Sequence, residues 1–472
     1  MSDLVLQPAT VLAEMIRERQ ISAVELLEAH LGQIEVVNPS VNAIVTLVPE
    51  MAHEMAQAAD ERTAAGGDLP PLHGLPVAHK DLHEVTGVRT TWGSRLYADH
   101  ISDRTTLIVE RMQRAGAVTL GKTNTPEFGA GSQTFNEVFG VTRNPWDLER
   151  TVGGSSGGAA AALLTGMVAL ADGSDYGASL RNPASFCNVV GFRPTPGRVP
   201  TWPSRLSSWT ESVHGPMART VADVALFLRS IAGPDQRVPI SLDEDGSRFW
   251  PLPDGAGPGL RLAWSTDLGG LPVDPVVTGV LAPLRDTFTE LGCAVTDDDP
   301  PLDGADEVFM TRRAWRYAIE FGDIVREQRA LIKDDIAEQV EQGFTLSSEQ
   351  LGSAELTRTG LVAAVASFFE EYDYLVCPTV QVPPFSAEEI WVRSINGTEM
   401  EHYLAWFRSC SWVSPLGLPA ISVPAGFTED GLPVGVQIVG RRGDDCGVLA
   451  IAKAFEDTTE LWRRRPPILR SG

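Results

Sequence analysis

The pattern of apolar and polar residues near the N-terminus predicts two helices separated by a short strand. In Ser22–Val37 the residues Leu27 and Ile34 recur at helical spacing, and Glu25 follows Ser22 at the distance of a capping box. The segment Glu50–Ala65 is the second helix, because paired glycines follow it directly. Between them, residues 42–47 are predicted to form the strand.

In the middle of the chain, short apolar segments that are predicted as strands alternate with glycine-rich turns. One alanine-rich helix is predicted over Gly157–Gly166, and a strand over Met167–Ala171 follows it. Residues 146–152 carry too many polar side chains to indicate a good strand.

The second half again mixes both element types. Predicted strands are 260–264, 293–296, 374–377, 420–423 and 433–439, and predicted helices are 275–291, 306–333, 348–372 and one that ends near Phe455. This mixture predicts an α/β protein with one domain over residues 1–472. We expect its core to be about 1–230 and 360–472, with a more variable helical region over about 235–370.

Composition limits the partners of the protein. The formal net charge is −24, so phosphate backbones and anionic lipids would be repelled, and we expect neither nucleic acid nor membrane as a partner. The five cysteines are scattered without a C-x-x-C, and the longest apolar run, Ala159–Ala171, is too short to span a bilayer. The N-terminus lacks the pattern of a signal peptide, which predicts a cytoplasmic protein. The oligomeric state stays open.

Two short motifs suggest ligand sites that their context disfavours. Gly116–Thr123 matches a P-loop, but its apolar interior indicates a strand, and Pro126 disfavours a helix beginning at Lys122. His79 and His83 are four residues apart, yet the H-E-x-x-H spacing of zinc hydrolases is missing. We therefore predict neither nucleotide binding nor a metal site.

A third motif, Gly154–Gly158, matches the G-x-S-x-G turn of α/β-hydrolases. That turn requires a strand before it and a histidine late in the chain. The preceding segment is a poor strand, and the late histidines are His214 and His402. A Ser–His–Asp hydrolase is kept as an alternative.

The strongest chemical signal is a pair of serine-bearing glycine loops, residues 153–158 and 173–179. One helix and one strand separate Ser155 from Ser179, so both serines can converge at one end of the unit. Lys80 ends a third segment, the short apolar stretch that begins at Leu75. A serine hydroxyl needs a base, and burial that lowers the pKa of a lysine from about 10.4 toward 7–8 makes its amine suitable.

Eight segments of the chain form an ordered set of motifs: Gly74–Asp81, Gly121–Asn124, Arg143–Trp146, Gly153–Gly158, Asp175–Ala184, Gly191–Pro194, Gly215–Thr220 and Gly417–Gly426. Taken together, these motifs resemble the amidase signature family. The resemblance covers nearly the whole chain and is weakest from about 235 to 370.

The resemblance implies a large mixed β-sheet flanked by helices and a Ser–Ser–Lys triad without metal or organic cofactor. Ser179 falls at the nucleophile, Ser155 at the serine after a cis peptide bond, and Lys80 at the general base. The backbone amides of the oxyanion hole would be those of Tyr176, Gly177, Ala178 and Ser179. As substrate-contacting positions we predict Gly129, Gly131, Gln133 and Asp175.

Three residues depart from the family pattern. Ala178 replaces the second of two glycines before the nucleophile, and would be strained by about 1 kcal/mol if its φ were positive. Tyr176 replaces a smaller residue, and His79 next to Lys80 is atypical.

The predicted function is hydrolysis of small-molecule amides, with carbamates (urethanes) and esters as further substrates. An alternative function on the same fold is that of an amidotransferase A-type subunit, which takes ammonia from glutamine.

Overall fold

The computed structural model describes residues 2–253 and 256–469. The helices in this part of the chain are α1 (Ser2–Val5), α2 (Ala9–Arg17), α3 (Ala23–Val41), α4 (Pro49–Ala65), α5 (Leu107–Arg114), α6 (Gly157–Leu164), α7 (Arg181–Cys187), α8 (Val221–Ile231), α9 (Pro275–Leu281), α10 (Leu284–Glu290), α11 (Ala305–Gln328), α12 (Asp334–Thr345), α13 (Ser348–Glu371), α14 (Arg408–Ser411) and α15 (Asp445–Thr459). The strands are β1 (Ile44–Leu47), β2 (Pro76–Lys80), β3 (Val118–Thr123), β4 (Phe135–Asn136), β5 (Gly140–Val141), β6 (Arg143–Asn144), β7 (Asp147–Thr151), β8 (Leu170–Asp175), β9 (Val190–Arg193), β10 (Val213–Ala218), β11 (Arg261–Trp264), β12 (Ala294–Asp297), β13 (Tyr374–Pro378), β14 (Ser394–Ile395), β15 (Thr398–Glu399), β16 (Ala420–Phe427) and β17 (Pro433–Gly440).

Eleven of these strands form one mixed sheet, as predicted for the family fold. Their order is β1-β3-β2-β8-β10-β9-β16-β17-β13-β11-β12. The neighbours β3, β2 and β8 are parallel, as are β13, β11 and β12, whereas the strands between these groups pair antiparallel. The sheet therefore joins strands from both halves of the chain, and the region 235–370 contributes two of them at one edge.

The N-terminal predictions are confirmed. Helix α3 begins after Ser22, whose hydroxyl accepts from the Glu25 N–H while the Glu25 carboxylate accepts from the Ser22 N–H, which completes the capping box. Helix α4 ends at Ala65, directly before Gly66, and β1 lies between the two helices. Capping residues and helix-ending glycines act over a few residues, so the local sequence is enough to predict these elements.

Other boundaries differ from the prediction. The expected helix 275–291 is two helices, α9 and α10, because Pro283 interrupts the backbone hydrogen bonding between them. Residues 146–152 do contain a strand, β7, so the prediction of a poor strand was wrong. That strand pairs with β6 in a separate two-stranded sheet. Strand β8 starts later than predicted and continues through Gly173 into the segment assigned to a loop.

The P-loop match lies in a strand, as predicted. Strand β3 runs through Gly121 and Lys122, and a Cβ on Gly121 would lie 2.1 Å from the Thr46 carbonyl oxygen of β1. Glycine is therefore needed for close strand pairing. No helix in the described ranges is long and apolar enough to cross a membrane.

Helix α6 is buried along its whole length, and its first two residues are glycines for a steric reason. A Cβ on Gly157 would lie 2.3 Å from Thr134 Oγ1, and one on Gly158 would lie 2.4 Å from the Asn124 backbone nitrogen. This close packing fixes the N-terminus of α6, and with it the loop that carries Ser155 and Ser156.

Candidate active site

Lys80 is the last residue of β2 and is completely buried. Its Nζ atom lies 2.7 Å from Ser155 Oγ, 2.9 Å from Ser156 Oγ and 3.0 Å from Ser174 Oγ. Within the described residues no carboxylate lies within 4 Å of this amine. The lysine is therefore surrounded by neutral hydroxyl groups.

Sheet topology explains this convergence. Strands β2 and β8 are parallel neighbours with Ala78 opposite Ala171, so Lys80 and Ser174 reach the same edge of the sheet. The loop before α6 brings Ser155 to the same point, and the Gly154–Ser155 peptide bond is cis.

Burial changes the proton affinity of Lys80. Desolvation lowers its pKa to about 7, although the negative charges of Asp175 and Asp172 oppose that change. A large fraction of the amine is therefore neutral near pH 7 and can accept a proton.

A buried cluster behind Lys80 was not found from the sequence. The Asp172 carboxylate accepts from His79 Nδ1 at 2.5 Å, from His83 Nδ1 at 2.6 Å and from the Lys80 backbone N–H at 2.9 Å. Burial alone would raise the pKa of Asp172, but the two imidazoles outweigh it and hold that pKa well below its usual range. The only signal in the sequence was the His79–His83 spacing, which suggested a metal site that the context disfavoured and did not suggest a shared carboxylate.

The predicted nucleophile loop, residues 176–179, is anchored by Asp175. This carboxylate accepts from the Leu180 N–H at 3.0 Å and forms buried ion pairs with Arg181 at 2.9 Å and Arg193 at 3.1 Å. The Ser179 carbonyl oxygen in turn accepts from the Ser156 N–H at 3.3 Å. Asp175 thus fixes the nucleophile loop, and a backbone hydrogen bond links that loop to the one that carries Ser155 and Ser156.

The backbone of this loop offers free donors. Among the described residues, the N–H groups of Gly177, Ala178 and Ser179 have no acceptor. The φ of Ala178 is not positive, so the strain considered for alanine at this position does not arise. Glycine at 177 has a steric reason, since a Cβ there would lie 3.0 Å from Phe309 Cζ.

These groups open onto a cavity of about 490 Å³. Ser155, Ser174 and Ser179 line it together, and so do the backbone positions of the 176–179 loop. Seven aromatic side chains are among its described lining residues: Trp92, Phe128, Tyr176, Phe309, Tyr317, Phe321 and Phe407.

The four predicted substrate-contacting positions divide into two pairs. Gly129 and Gly131 line the cavity. Gln133 and Asp175 are not among its described lining residues, because their polar groups are engaged elsewhere. The Gln133 amide donates to the Glu389 carbonyl oxygen at 2.6 Å and also to that of Ile390, and Asp175 is held by its arginines.

The histidines of the Ser–His–Asp alternative lack the required arrangement. His214 lines the cavity, but its buried Nδ1 has no hydrogen-bond partner among the described residues, so no carboxylate orients the ring. His402 Nε2 lies 3.8 Å from Asp306 and is not among the lining residues.

Comparison with known proteins identifies the same class of enzyme that the arrangement of Lys80 and its serines suggests. The Amidase family model matches residues 25–449. An acylamidase from Rhodococcus erythropolis is 37% identical over 465 residues, which cover 97% of this chain and 96% of that protein. The chain therefore belongs to the amidase signature family and is a hydrolase of amides.

Two further similarities show how broad this family is. The crystal structure of a bacterial aryl acylamidase superposes with a TM-score of 0.92 at 30% identity, covering 99% of both chains. The A subunit of a glutamyl-tRNA(Gln) amidotransferase from Carboxydothermus hydrogenoformans is 34% identical over 98% of this chain and 99% of that protein.

Proposed function

We propose that this amidase hydrolyses small amides with an apolar or aryl group, and also carbamates and esters, through an acyl-enzyme on Ser179. The observation that carries the proposal is the 2.7 Å contact between Lys80 Nζ and Ser155 Oγ, made by a buried amine with its pKa near 7. Ser155 and Ser179 face the same cavity. Aromatic walls favour an apolar or aryl group by burying its surface.

In the first half-reaction, the Ser179 hydroxyl attacks the amide carbonyl carbon. Its proton passes to Ser155 Oγ, which passes its own proton to neutral Lys80. The free N–H groups of Gly177, Ala178 and Ser179 are the donors of the proposed oxyanion hole, where each donor is worth about 100-fold or more in rate. Return of the proton through Ser155 to the leaving nitrogen breaks the C–N bond and releases the amine.

In the second half-reaction, water attacks the ester formed on Ser179. The same relay accepts the proton of that water and returns a proton to Ser179 Oγ as the carboxylic acid leaves. Carbamates and esters follow the same steps, because each forms a tetrahedral oxyanion at an equivalent carbon.

The test is a substrate panel with the purified chain: 4-nitroacetanilide, acetanilide, a phenyl carbamate and a 4-nitrophenyl ester. We expect release of amine or alcohol, and a mass increase equal to the acyl group on Ser179 when the reaction is quenched early. The Ser179→Ala variant should lose both signals. Ser204→Ala, a serine on the cavity wall outside the relay, is the matched control. Turnover by Ser179→Ala at the parent rate would refute the assignment.

A second candidate function follows from the similarity to the amidotransferase A-type proteins. In that case glutamine would be the preferred amide, and partner subunits would co-purify with the protein in its native host. A glutaminase assay distinguishes the two, since we expect anilides to be hydrolysed at least about tenfold faster than glutamine by the enzyme proposed above.

A further inference from the structure

Four arginines line the cavity of a chain whose net charge is −24. Three of them have carboxylate partners: Arg104 Nε lies 2.8 Å from Glu84, Arg205 Nη2 lies 3.5 Å from Asp323, and Arg316 Nε lies 3.0 Å from Glu320. The fourth, Arg313 of α11, has no carboxylate partner among the described residues.

The groups that contact the Arg313 side chain are aromatic. The residue is only 5% exposed, and its single described hydrogen bond runs from Nη2 to the Tyr403 hydroxyl at 2.5 Å. Its guanidinium carbon lies 4.2 Å from the centre of the Tyr317 ring and 5.7 Å from that of Tyr176. Its Nε is buried and has no described hydrogen-bond partner.

A second unsatisfied donor lies beside it. The Tyr176 hydroxyl is buried and has no partner among the described residues, while its ring is flanked by Arg313 and by Arg316 at 4.8 Å. Tyr176 is three residues before Ser179 in the loop that supplies the free N–H groups. Both Arg313 and Tyr176 line the cavity that the predicted nucleophile, Ser179, also lines.

These two unpaired groups destabilise the folded protein unless a ligand pairs with them. A buried guanidinium without an anion, and a buried hydroxyl without an acceptor, each carry an uncompensated desolvation penalty. A carboxylate on a ligand supplies a negative charge and two acceptor oxygens, and its planar shape matches the donors of arginine.

We propose that Arg313, assisted by the Tyr176 hydroxyl, binds a carboxylate on the substrate, so that the preferred amides are anionic. The anionic group is remote from the scissile carbonyl, on either the acyl or the amine portion, and the aryl or alkyl body between them packs against the aromatic walls. This proposal rests on the proposed function for its reaction, but carboxylate binding itself does not require turnover.

The kinetic experiment compares matched substrates that differ in one charge. The first pair is 4-acetamidobenzoate and 4-acetamidobenzamide, with the charge on the amine portion, and the second is N-phenylsuccinamate and N-phenylsuccinamide, with the charge on the acyl portion. Release of the arylamine is measured. For at least one pair we expect kcat/KM to be about tenfold or more higher for the carboxylate, as charge-assisted hydrogen bonds allow.

Variants identify the residue that is responsible for the preference. Arg313→Gln should bring the carboxylate-to-amide ratio close to one, Arg313→Lys should retain part of it, and Tyr176→Phe should reduce it a few-fold. Arg205→Gln, which removes an exposed arginine of the same cavity, is the matched control and should keep the parent ratio. Using the ratio within each variant removes any common effect of lower stability.

A binding measurement keeps this proposal separate from the proposed function. Calorimetric titration of the Ser179→Ala protein with 4-acetamidobenzoate and N-phenylsuccinamate requires no catalysis. We expect at least one carboxylate to bind about tenfold or more tightly than its amide partner, with the difference lost in Ser179→Ala/Arg313→Gln. Equal binding of both members of both pairs would overturn the carboxylate proposal, even if neutral amides were hydrolysed through Ser179.

Discussion

Two lysines at the same edge of the main sheet make an informative comparison. Lys80 ends β2 and Lys122 lies near the end of the neighbouring parallel strand β3, where it is opposite His79. Both side chains are completely buried, and burial lowers the pKa of both amines. Burial alone therefore does not distinguish a catalytic lysine from a structural one.

Their partners do distinguish them. Lys122 Nζ lies 3.7 Å from the Asp81 carboxylate, donates to the Thr90 hydroxyl at 3.0 Å and also donates to the His83 carbonyl oxygen. Lys80 contacts three serine hydroxyls and no carboxylate among the described residues. A carboxylate in contact stabilises the charged amine, whereas hydroxyls leave the neutral form accessible. The comparison supports a structural role for Lys122 at the sheet edge and the proposed role of Lys80 as the base.

The largest expected effect is a loss of activity when Lys80, rather than Lys122, is replaced. Lys80→Met removes the amine that contacts Ser155, so kcat/KM on an anilide should fall between about 100-fold and 10,000-fold, the usual worth of a general base. The folded structure should persist, because no ion pair is lost. Initial rates with a thermal melt test this expectation. A variant that hydrolyses at the parent rate would contradict the role of Lys80.

A smaller effect is a loss of stability when Lys122 is replaced. Lys122→Met leaves the buried Asp81 carboxylate without its cation, so the free energy of unfolding should fall by about 3–5 kcal/mol. Denaturant unfolding measures this loss, and kcat/KM per folded molecule should change far less than in Lys80→Met. Adding Asp81→Asn should recover part of the stability. An unchanged unfolding midpoint in the single variant would show that the ion pair contributes little.

The smallest effect is a pH dependence that belongs to Lys80. Because only the neutral amine accepts a proton, kcat/KM should fall about tenfold per pH unit below about 7. Asp172 carries a charge that raises the pKa of Lys80, so Asp172→Asn should move this limb to lower pH. The pH–rate profile of both proteins is the measurement. A profile that is flat from about pH 5 to about pH 9 would exclude a titrating base.

The same titration affects stability in a known direction. The pKa of Lys80 is about 7 in the folded protein against an ordinary value of 10.5, so the unfolded chain binds more protons between these pH values. The contribution of Lys80 to the free energy of unfolding therefore rises with pH across this window. Below about pH 7 the cost of burying a charged amine is fully present.

The sequence alone determined the features that depend on neighbouring residues. Helix α3 with its capping box, the end of α4 directly before Gly66 and the strand through Gly121 follow from periodicity, capping and steric rules that act over a few residues. The ordered serine and glycine motifs also predicted the family. Through that resemblance they paired Lys80 with Ser155, two side chains that the fold then brings into contact.

Only the tertiary structure decided which side chains share a space. Asp172 and His79 are 93 residues apart in the chain, and they meet because β2 and β8 are neighbours in the sheet. Gln133 is turned away from the cavity because its amide satisfies two carbonyl groups, 256 and 257 residues further along the chain. Arg313 enters the cavity from α11 without a carboxylate partner among the described residues. Whether a carboxylate reaches this arginine depends on every element packed around it and not on its neighbours in the chain. Contacts of this kind depend on strand order and helix packing, which local patterns do not encode.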